Sequence, residues 1–176
     1  MAGYTIHVAV ANEYIRKNNI VENKDEIIRG VIAPDSVKNK SLTHYGVYSS
    51  RPNLKKYLNE KAVKNNYDKG YFLHLLTDYL FYNYYFVVPK DILFYDDYDK
   101  TNEFLIKKYN VVLPEEFHKY MHKADGDPEY LKYDLLEKMI DEISNIDIEK
   151  ATEDILNNDY IIIENKKIRI NSFNRK

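Results

Sequence analysis

The sequence predicts an all-α fold, in which residues 1–176 form a single helical bundle with a small C-terminal β-hairpin. Apolar residues recur at spacings of three and four along most of the chain, which is the period of an amphipathic helix. Sequence segments with the pattern of β-strands occur only near the C-terminus. With 176 residues and no cysteine, the chain has the size of one domain that buries its own core without disulfides.

The first elements are marked by apolar stripes and by end signals. Residues 5–17 form an amphipathic helix with Thr5 as the predicted cap. A second helix over residues 23–32 is ended by Pro34, because the residue before a proline resists the helical conformation. Residues 36–53 are polar and follow no period, so they predict a long irregular loop.

The most apolar stretch of the chain predicts a central helix. It follows a charged helix over residues 54–63 and runs over residues 68–85, with apolar side chains all round, which indicates burial on most sides. His74 and Asp78 interrupt this apolar run. Since they are four residues apart, they lie one helical turn apart on the same face. They predict either half of a metal site or a core histidine hydrogen-bonded to its own-turn aspartate.

The second half of the chain is of ordinary composition. A helix opened by Pro114 carries His118 and His122, again four apart, but its charged surroundings favour an exposed face over a metal pair. The other elements predicted from periodicity and turn residues are a short turn at 91–94, helices over 100–109, 131–143 and 148–156, and a hairpin with arms at 160–163 and 167–170.

The charge balance and hydropathy of the sequence limit the kinds of partner and the location that are expected. Lysine and arginine number 26 against 28 aspartate and glutamate, and both signs are scattered, so no stable nucleic-acid partner is expected. The N-terminus lacks a basic segment followed by an apolar one, and no apolar run is long enough to cross a bilayer. A cytoplasmic protein is therefore expected.

Candidate metal ligands are concentrated before residue 80, each beside apolar residues that hold the backbone in the core. Because the chain has no thiolates, a metal must be held by histidine, carboxylate, backbone or water. The set suits one or two zinc ions, with manganese or iron as alternatives. For a lone residue among them, a turn aspartate or a packed core histidine is the alternative interpretation. The candidate ligands are His7, Asp35, His44, His74 and Asp78.

Three stretches, in this order after His7, resemble the bacterial zinc-dependent phospholipase C family, which is similar to fungal zinc-dependent single-strand nucleases. They are Gly-Val-Ile-Ala-Pro-Asp at 30–35, Thr-His-Tyr at 43–45 and Gly-Tyr-Phe-Leu-His-Leu-Leu-Thr-Asp at 70–78. The resemblance covers about the first half of the chain and implies a helical bundle with metals in its central cleft.

The resemblance also implies a role for each candidate ligand. Asp35, His44, His74 and Asp78 would form the first metal site. Asp35 would also serve as the catalytic general base, and Asp78 would bridge to a neighbouring ion that His7 binds.

The expected function is hydrolysis of a phosphoester, in which hydroxide from metal-bound water attacks phosphorus while Asp35 takes the proton. The expected partner is a small-molecule phosphoester or a phospholipid headgroup. The alternative is a non-catalytic helical domain whose metal is structural, or whose site is a remnant, and which acts as an interaction module.

Overall fold

In the computed structural model, which describes residues 2–89 and 92–170, α-helices follow one another up to Asn158 and a two-stranded sheet comes last. The predicted all-α fold with a C-terminal hairpin is confirmed. In the part of the chain so described, no helix has both the length and the apolar character needed to span a membrane. The helices are α1 (Tyr4–Lys17), α2 (Lys24–Ile32), α3 (Lys40–His44), α4 (Leu54–Glu60), α5 (Asn66–Leu80), α6 (Tyr95–Tyr109), α7 (Tyr133–Ser144) and α8 (Ile148–Asn158).

The predicted loop over residues 36–53 contains a helix that the sequence period did not reveal. The Asn39 side chain accepts a hydrogen bond from the backbone of Ser41 and so caps α3, which is too short to show a periodic apolar stripe. His44 therefore ends a helix instead of lying in an irregular loop. A 3₁₀ turn over Ala33–Asp35 extends α2 past the predicted stop at Pro34.

Three other predicted details were wrong. Gly3, not Thr5, is the N-cap residue of α1, since the helix begins at Tyr4. Thr5 lies inside the first turn, where its hydroxyl donates to the Asn102 side chain at 2.6 Å. The helix predicted after Pro114 is a 3₁₀ stretch over Glu115–Tyr120, which ends before His122. Helix α6 also begins at its acidic first turn, earlier than predicted, and part of the turn predicted at 91–94 lies outside the described residues.

Helix α5 occupies the centre of the core, as its all-round apolar sequence predicts. Asn65 and Asp68 form a capping box at its start. Beyond Leu80 the helix continues as a π-helical turn over Phe81–Tyr85. The side chains of Phe72, Leu73, Leu75, Leu76 and Leu80 have no exposed surface.

Helices α2 and α5 cross at a pair of glycines. A Cβ atom on Gly30 would lie 2.1 Å from the carbonyl oxygen of Tyr67, and one on Gly70 would lie 2.1 Å from that of Ile27. Such distances leave no room for a side chain, so the two backbones are in direct contact. This crossing places the C-terminal end of α2, and with it Asp35, beside the middle of α5.

The C-terminal hairpin pairs β1 (Tyr160–Ile163) with β2 (Lys166–Arg169) in antiparallel register, with Ile161 opposite Ile168. Glu164 and Asn165 connect the strands with φ values of 48° and 63°. Positive φ at both central residues is the requirement of a type I′ turn, whose twist matches that of the strands.

Candidate metal centre

The fold brings the five candidate ligands of the sequence to one place. His7 comes from α1, Asp35 from the turn after α2, His44 from the end of α3, and His74 and Asp78 from α5. All are buried, with at most 5% of any residue exposed. Ligand atoms lie within 4.8 Å of one another in two triplets, one of His7, Asp35 and His74 and one of His44, His74 and Asp78.

Backbone carbonyls orient two of the imidazoles. His44 Nδ1 lies 2.9 Å from the Lys40 oxygen, and His74 Nδ1 lies 2.7 Å from the Val31 oxygen. A carbonyl only accepts, so each Nδ1 carries a hydrogen and donates it. In a neutral imidazole the Nε2 atom then presents a lone pair, which is the arrangement that metal-binding histidines use.

These two Nε2 atoms and one oxygen of Asp78 face one another. The Nε2 atoms of His44 and His74 are 3.2 Å apart. Asp78 Oδ2 lies 3.1 Å from the first and 3.5 Å from the second. Lone pairs at these distances repel one another unless a proton or a metal cation lies among them, and burial keeps water from separating them.

The other oxygen of Asp78 faces a second group of atoms. Asp78 Oδ1 accepts a hydrogen bond from the Ala2 backbone at 2.7 Å and lies 3.4 Å from His7 Nε2. The His7 ring stacks on the His74 ring with centroids 3.8 Å apart. Among the described residues, neither ring nitrogen of His7 makes a hydrogen bond of good geometry, which is unusual for a buried polar group and indicates a missing partner.

Asp35 completes the cluster. Its Oδ1 lies 3.6 Å from His44 Nε2 and its Oδ2 lies 3.8 Å from His74 Nε2. The Lys40 ammonium is 2.9 Å from Oδ1. In the part of the chain that the structure describes, neither oxygen accepts a well-formed hydrogen bond. Among the described residues, the Lys40 ammonium is therefore the cation that lies against the carboxylate.

Burial and neighbouring charges set the protonation of the cluster. Burial and the adjacent His74 lower the pKa of His7 to about 4. Burial alone would raise the pKa of Asp78, but the surrounding histidines His7, His44 and His74 hold it well below its usual range. Burial opposes the charge on His74, yet Asp35 and Asp78 raise its pKa. At neutral pH His7 is neutral and Asp78 is ionised, as metal ligands must be.

The depressed pKa of His7 predicts a pH-dependent stability of the metal-free protein. His7 takes up a proton near pH 6.5 in the unfolded chain but only near pH 4 in the folded protein. Its contribution to the free energy of unfolding is therefore complete above pH 6.5 and is lost as the pH falls toward 4. The expected loss in the free energy of unfolding is about 3 kcal/mol. Urea unfolding of chelator-treated protein between these pH values measures it.

A matched pair of variants isolates this contribution of His7. His7→Gln should flatten the pH dependence relative to wild type, whereas His122→Gln, which changes an exposed histidine, should not. His74 acts in the opposite sense, since a raised pKa stabilises the folded state at low pH. Only the difference between wild type and His7→Gln is therefore diagnostic, and equal slopes would show that His7 is not the group responsible.

The remaining predicted histidines lie away from the cluster. His118 Nε2 donates a hydrogen bond to the Leu113 carbonyl oxygen at 2.9 Å. Both His118 and His122 are exposed. They form an exposed stretch, as their charged surroundings predict, and do not join the five buried residues.

A cavity of about 1180 Å³ lies beside the cluster. Two of its lining residues contact Asp35: the Tyr4 hydroxyl donates to the Asp35 backbone oxygen at 2.8 Å, and Lys40 lies against the carboxylate. The sequence interpretation missed both residues. Lys40 precedes His44 by four residues, but this spacing places two side chains on one face only within a helix, and the sequence did not reveal α3.

The cavity lining is basic and partly aromatic. Its described residues include Lys38, Lys40, Arg51 and Lys119 against a single carboxylate, Asp99, in a protein whose net charge is −2. Among these described residues the basic groups outnumber the acidic ones, which favours an anionic ligand. The aromatic part of the wall includes Tyr82, Phe86, Phe94, Tyr95 and Tyr98.

Two tyrosines of this wall lie close to the cluster. The hydroxyl oxygens of Tyr82 and Tyr98 are 3.3 Å apart. Burial and the nearby charge of Asp78 raise the pKa of Tyr82, so its hydroxyl keeps its proton at neutral pH. The pair thus adds neutral hydrogen-bonding groups to a basic wall.

Comparison with known proteins found no match among protein-family models, curated proteins or solved structures. The geometry and charge of the cluster and the cavity therefore carry the functional inference.

Proposed function

We propose that this protein is a zinc-dependent hydrolase of phosphoester bonds, similar to phospholipase C. The observation that carries the proposal is the convergence of three buried acceptor atoms, Nε2 of His44, Nε2 of His74 and Oδ2 of Asp78, with separations of 3.1–3.5 Å. A divalent cation relieves the repulsion among such atoms and satisfies all three.

The donor set fits zinc. Imidazole nitrogen and carboxylate oxygen are ordinary zinc ligands, and no thiolate is present to favour a softer ion. The carbonyls of Val31 and Lys40 act as the outer hydrogen-bond partners that fix zinc-binding imidazoles. The nitrogens of His7, which make no well-formed hydrogen bond among the described residues, and the second oxygen of Asp78 are compatible with a second ion next to the first.

Each residue has a defined task in the proposed reaction. When bound by these residues, a zinc ion would lower the pKa of a water molecule toward neutrality and would polarise a phosphoryl oxygen. Asp35, whose oxygens accept no well-formed hydrogen bond among the described residues, is available to take a proton. Asp78 stays ionised, which keeps its negative charge available to the ion.

The cavity supports an organic phosphate as the substrate. Basic residues at the cavity favour the phosphate anion, and the aromatic wall favours an apolar or planar group attached to it. A small-molecule phosphoester or a phospholipid headgroup has both parts.

A cytoplasmic location stays a prediction from the sequence, which cell fractionation tests.

Metal content followed by a phosphoester panel tests the proposal. Purified protein should contain zinc, and hydrolysis of phosphomonoesters or phosphodiesters should vanish with a chelator and return with zinc. Asp35→Asn should retain the ion but lower kcat about 100-fold, since it removes the proton acceptor. Asp154→Asn, a change of a buried carboxylate on α8, should have no effect on kcat. Protein that binds no transition metal would refute the proposal.

A structural ion is the second candidate, and the observation that favours it is the burial of every donor, at most 5% exposed. A closed site without an open position for water holds a fold together but does not hydrolyse substrate. Under this alternative zinc raises the melting temperature, no substrate of the panel is cleaved, and the protein acts as an interaction module.

A further inference from the structure

We propose that Lys40 is the residue that binds the substrate's phosphate group, as a cationic anchor between the basic cavity and the metal cluster. This inference rests on the proposed phosphoester hydrolase function. It adds a residue that is no metal ligand and that none of the sequence motifs includes.

The position of Lys40 is at the boundary of the two features. Lys40 lines the cavity and 27% of its side chain is exposed, while the Asp35 carboxylate that it contacts at 2.9 Å is fully buried. A phosphate held by this ammonium therefore lies next to the proposed proton acceptor. Such closeness to Asp35 is what an attack on phosphorus requires of a positioned substrate.

Hydrogen bonds to the Lys40 backbone connect this residue to the candidate ligand His44. Its carbonyl oxygen accepts from His44 Nδ1 at 2.9 Å and from the Thr43 hydroxyl at 3.1 Å. The first turn of α3 thus links the orientation of a candidate zinc ligand to the position of the ammonium. A substitution of the side chain leaves this carbonyl in place, so the charge can be removed without removing the His44 contact.

The electrostatic setting favours an anion such as phosphate over a neutral or cationic ligand. Lys38, Arg51 and Lys119 also line the cavity, and Asp99 is the one carboxylate among its described residues. Lysine and arginine at an opening with this balance of charge bind phosphate oxygens through charge-assisted hydrogen bonds. The contact of Lys40 with Asp35 has a further consequence: the ammonium and a zinc ion compete for the same carboxylate.

Titration of the protein with inorganic phosphate tests the proposal without any turnover. Calorimetry is carried out on zinc-loaded and zinc-free wild-type protein, and on Lys40→Met, Lys40→Arg and Lys56→Met. Lys40→Met should lower phosphate affinity about 10-fold, the value of one charge-assisted hydrogen bond, and Lys40→Arg should restore most of it. Lys56→Met, which changes an exposed lysine on α4, should match wild type.

Zinc affinity, measured on the same variants, separates binding of substrate from a structural role. Lys40→Met should bind zinc as tightly as wild type or more tightly, because a competitor for Asp35 is gone. Loss of zinc together with phosphate would overturn the proposal and show that Lys40 supports the cluster. Equal phosphate affinity in Lys40→Met and wild type would also overturn it.

The same measurements distinguish failure of the proposed hydrolase function from failure of the Lys40 proposal. If wild-type protein binds no zinc, the hydrolase proposal fails, and the titration of zinc-free protein then decides the role of Lys40. Phosphate binding that Lys40→Met loses supports the anchor, and absence of phosphate binding in wild type overturns it.

Discussion

Asp78→Asn is expected to abolish zinc binding and phosphoester hydrolysis together. The carboxylate contacts three imidazoles, with His44 at 3.1 Å, His7 at 3.4 Å and His74 at 3.5 Å, so both candidate ion positions depend on it. An amide has nearly the same shape but lacks the charge that a divalent ion needs. Activity should fall by about 1000-fold or more, because a catalytic ion supplies several kcal/mol of transition-state stabilisation.

Thermal unfolding with and without zinc measures the loss of the ion directly. At a free zinc concentration about 100 times the dissociation constant, binding stabilises wild type by about 2.7 kcal/mol, and Asp78→Asn should show no such gain. The variant should still fold, since its amide oxygen can accept from the Ala2 backbone and its NH₂ group can donate to His44 or His74. Asp154→Asn serves as the control and should retain the zinc response. A zinc-dependent rise in Asp78→Asn equal to that of wild type would contradict the proposed site.

Gly70→Ala is expected to lower the free energy of unfolding by about 3 kcal/mol or more and to weaken zinc binding as well. The new methyl group would meet the Ile27 carbonyl oxygen at 2.1 Å, and that atom belongs to the backbone of α2, which cannot rotate aside. The two helices must therefore separate. Since α2 leads to Asp35 and α5 carries His74 and Asp78, their separation enlarges the cluster.

Urea unfolding and zinc titration measure the two effects of Gly70→Ala. Gly3→Ala is the matched control, because its methyl group would lie at an ordinary 3.4 Å from the Tyr98 ring. That variant should unfold within about 1 kcal/mol of wild type, the cost of a glycine cap replaced by alanine. A Gly70→Ala protein as stable as Gly3→Ala would show that the helices do not touch as closely as described.

Local patterns in the sequence determined the helical fold and the candidate ligands. The 3.6-residue period predicts α1, α2, α7 and α8 because it reports which face of each helix is buried. The all-round apolar run of α5 indicated its central position, and the four-residue spacing of His74 and Asp78 placed both on one face. The order of His7, Asp35 and His44 before this helix, with the family resemblance, selected the remaining candidates. The metal and the reaction stay predictions.

Only the tertiary structure decided how these residues meet and what lies beside them. The contact of Gly30 and Gly70 with the facing backbones, and the hydrogen bond that orients His74 on Val31, join residues about forty positions apart. A helix as short as α3 carries no period, so the placement of His44 and Lys40 was not readable from the sequence. The basic cavity is likewise assembled from separate segments. Long-range packing brings these groups together, and a local pattern reports only the environment of each segment.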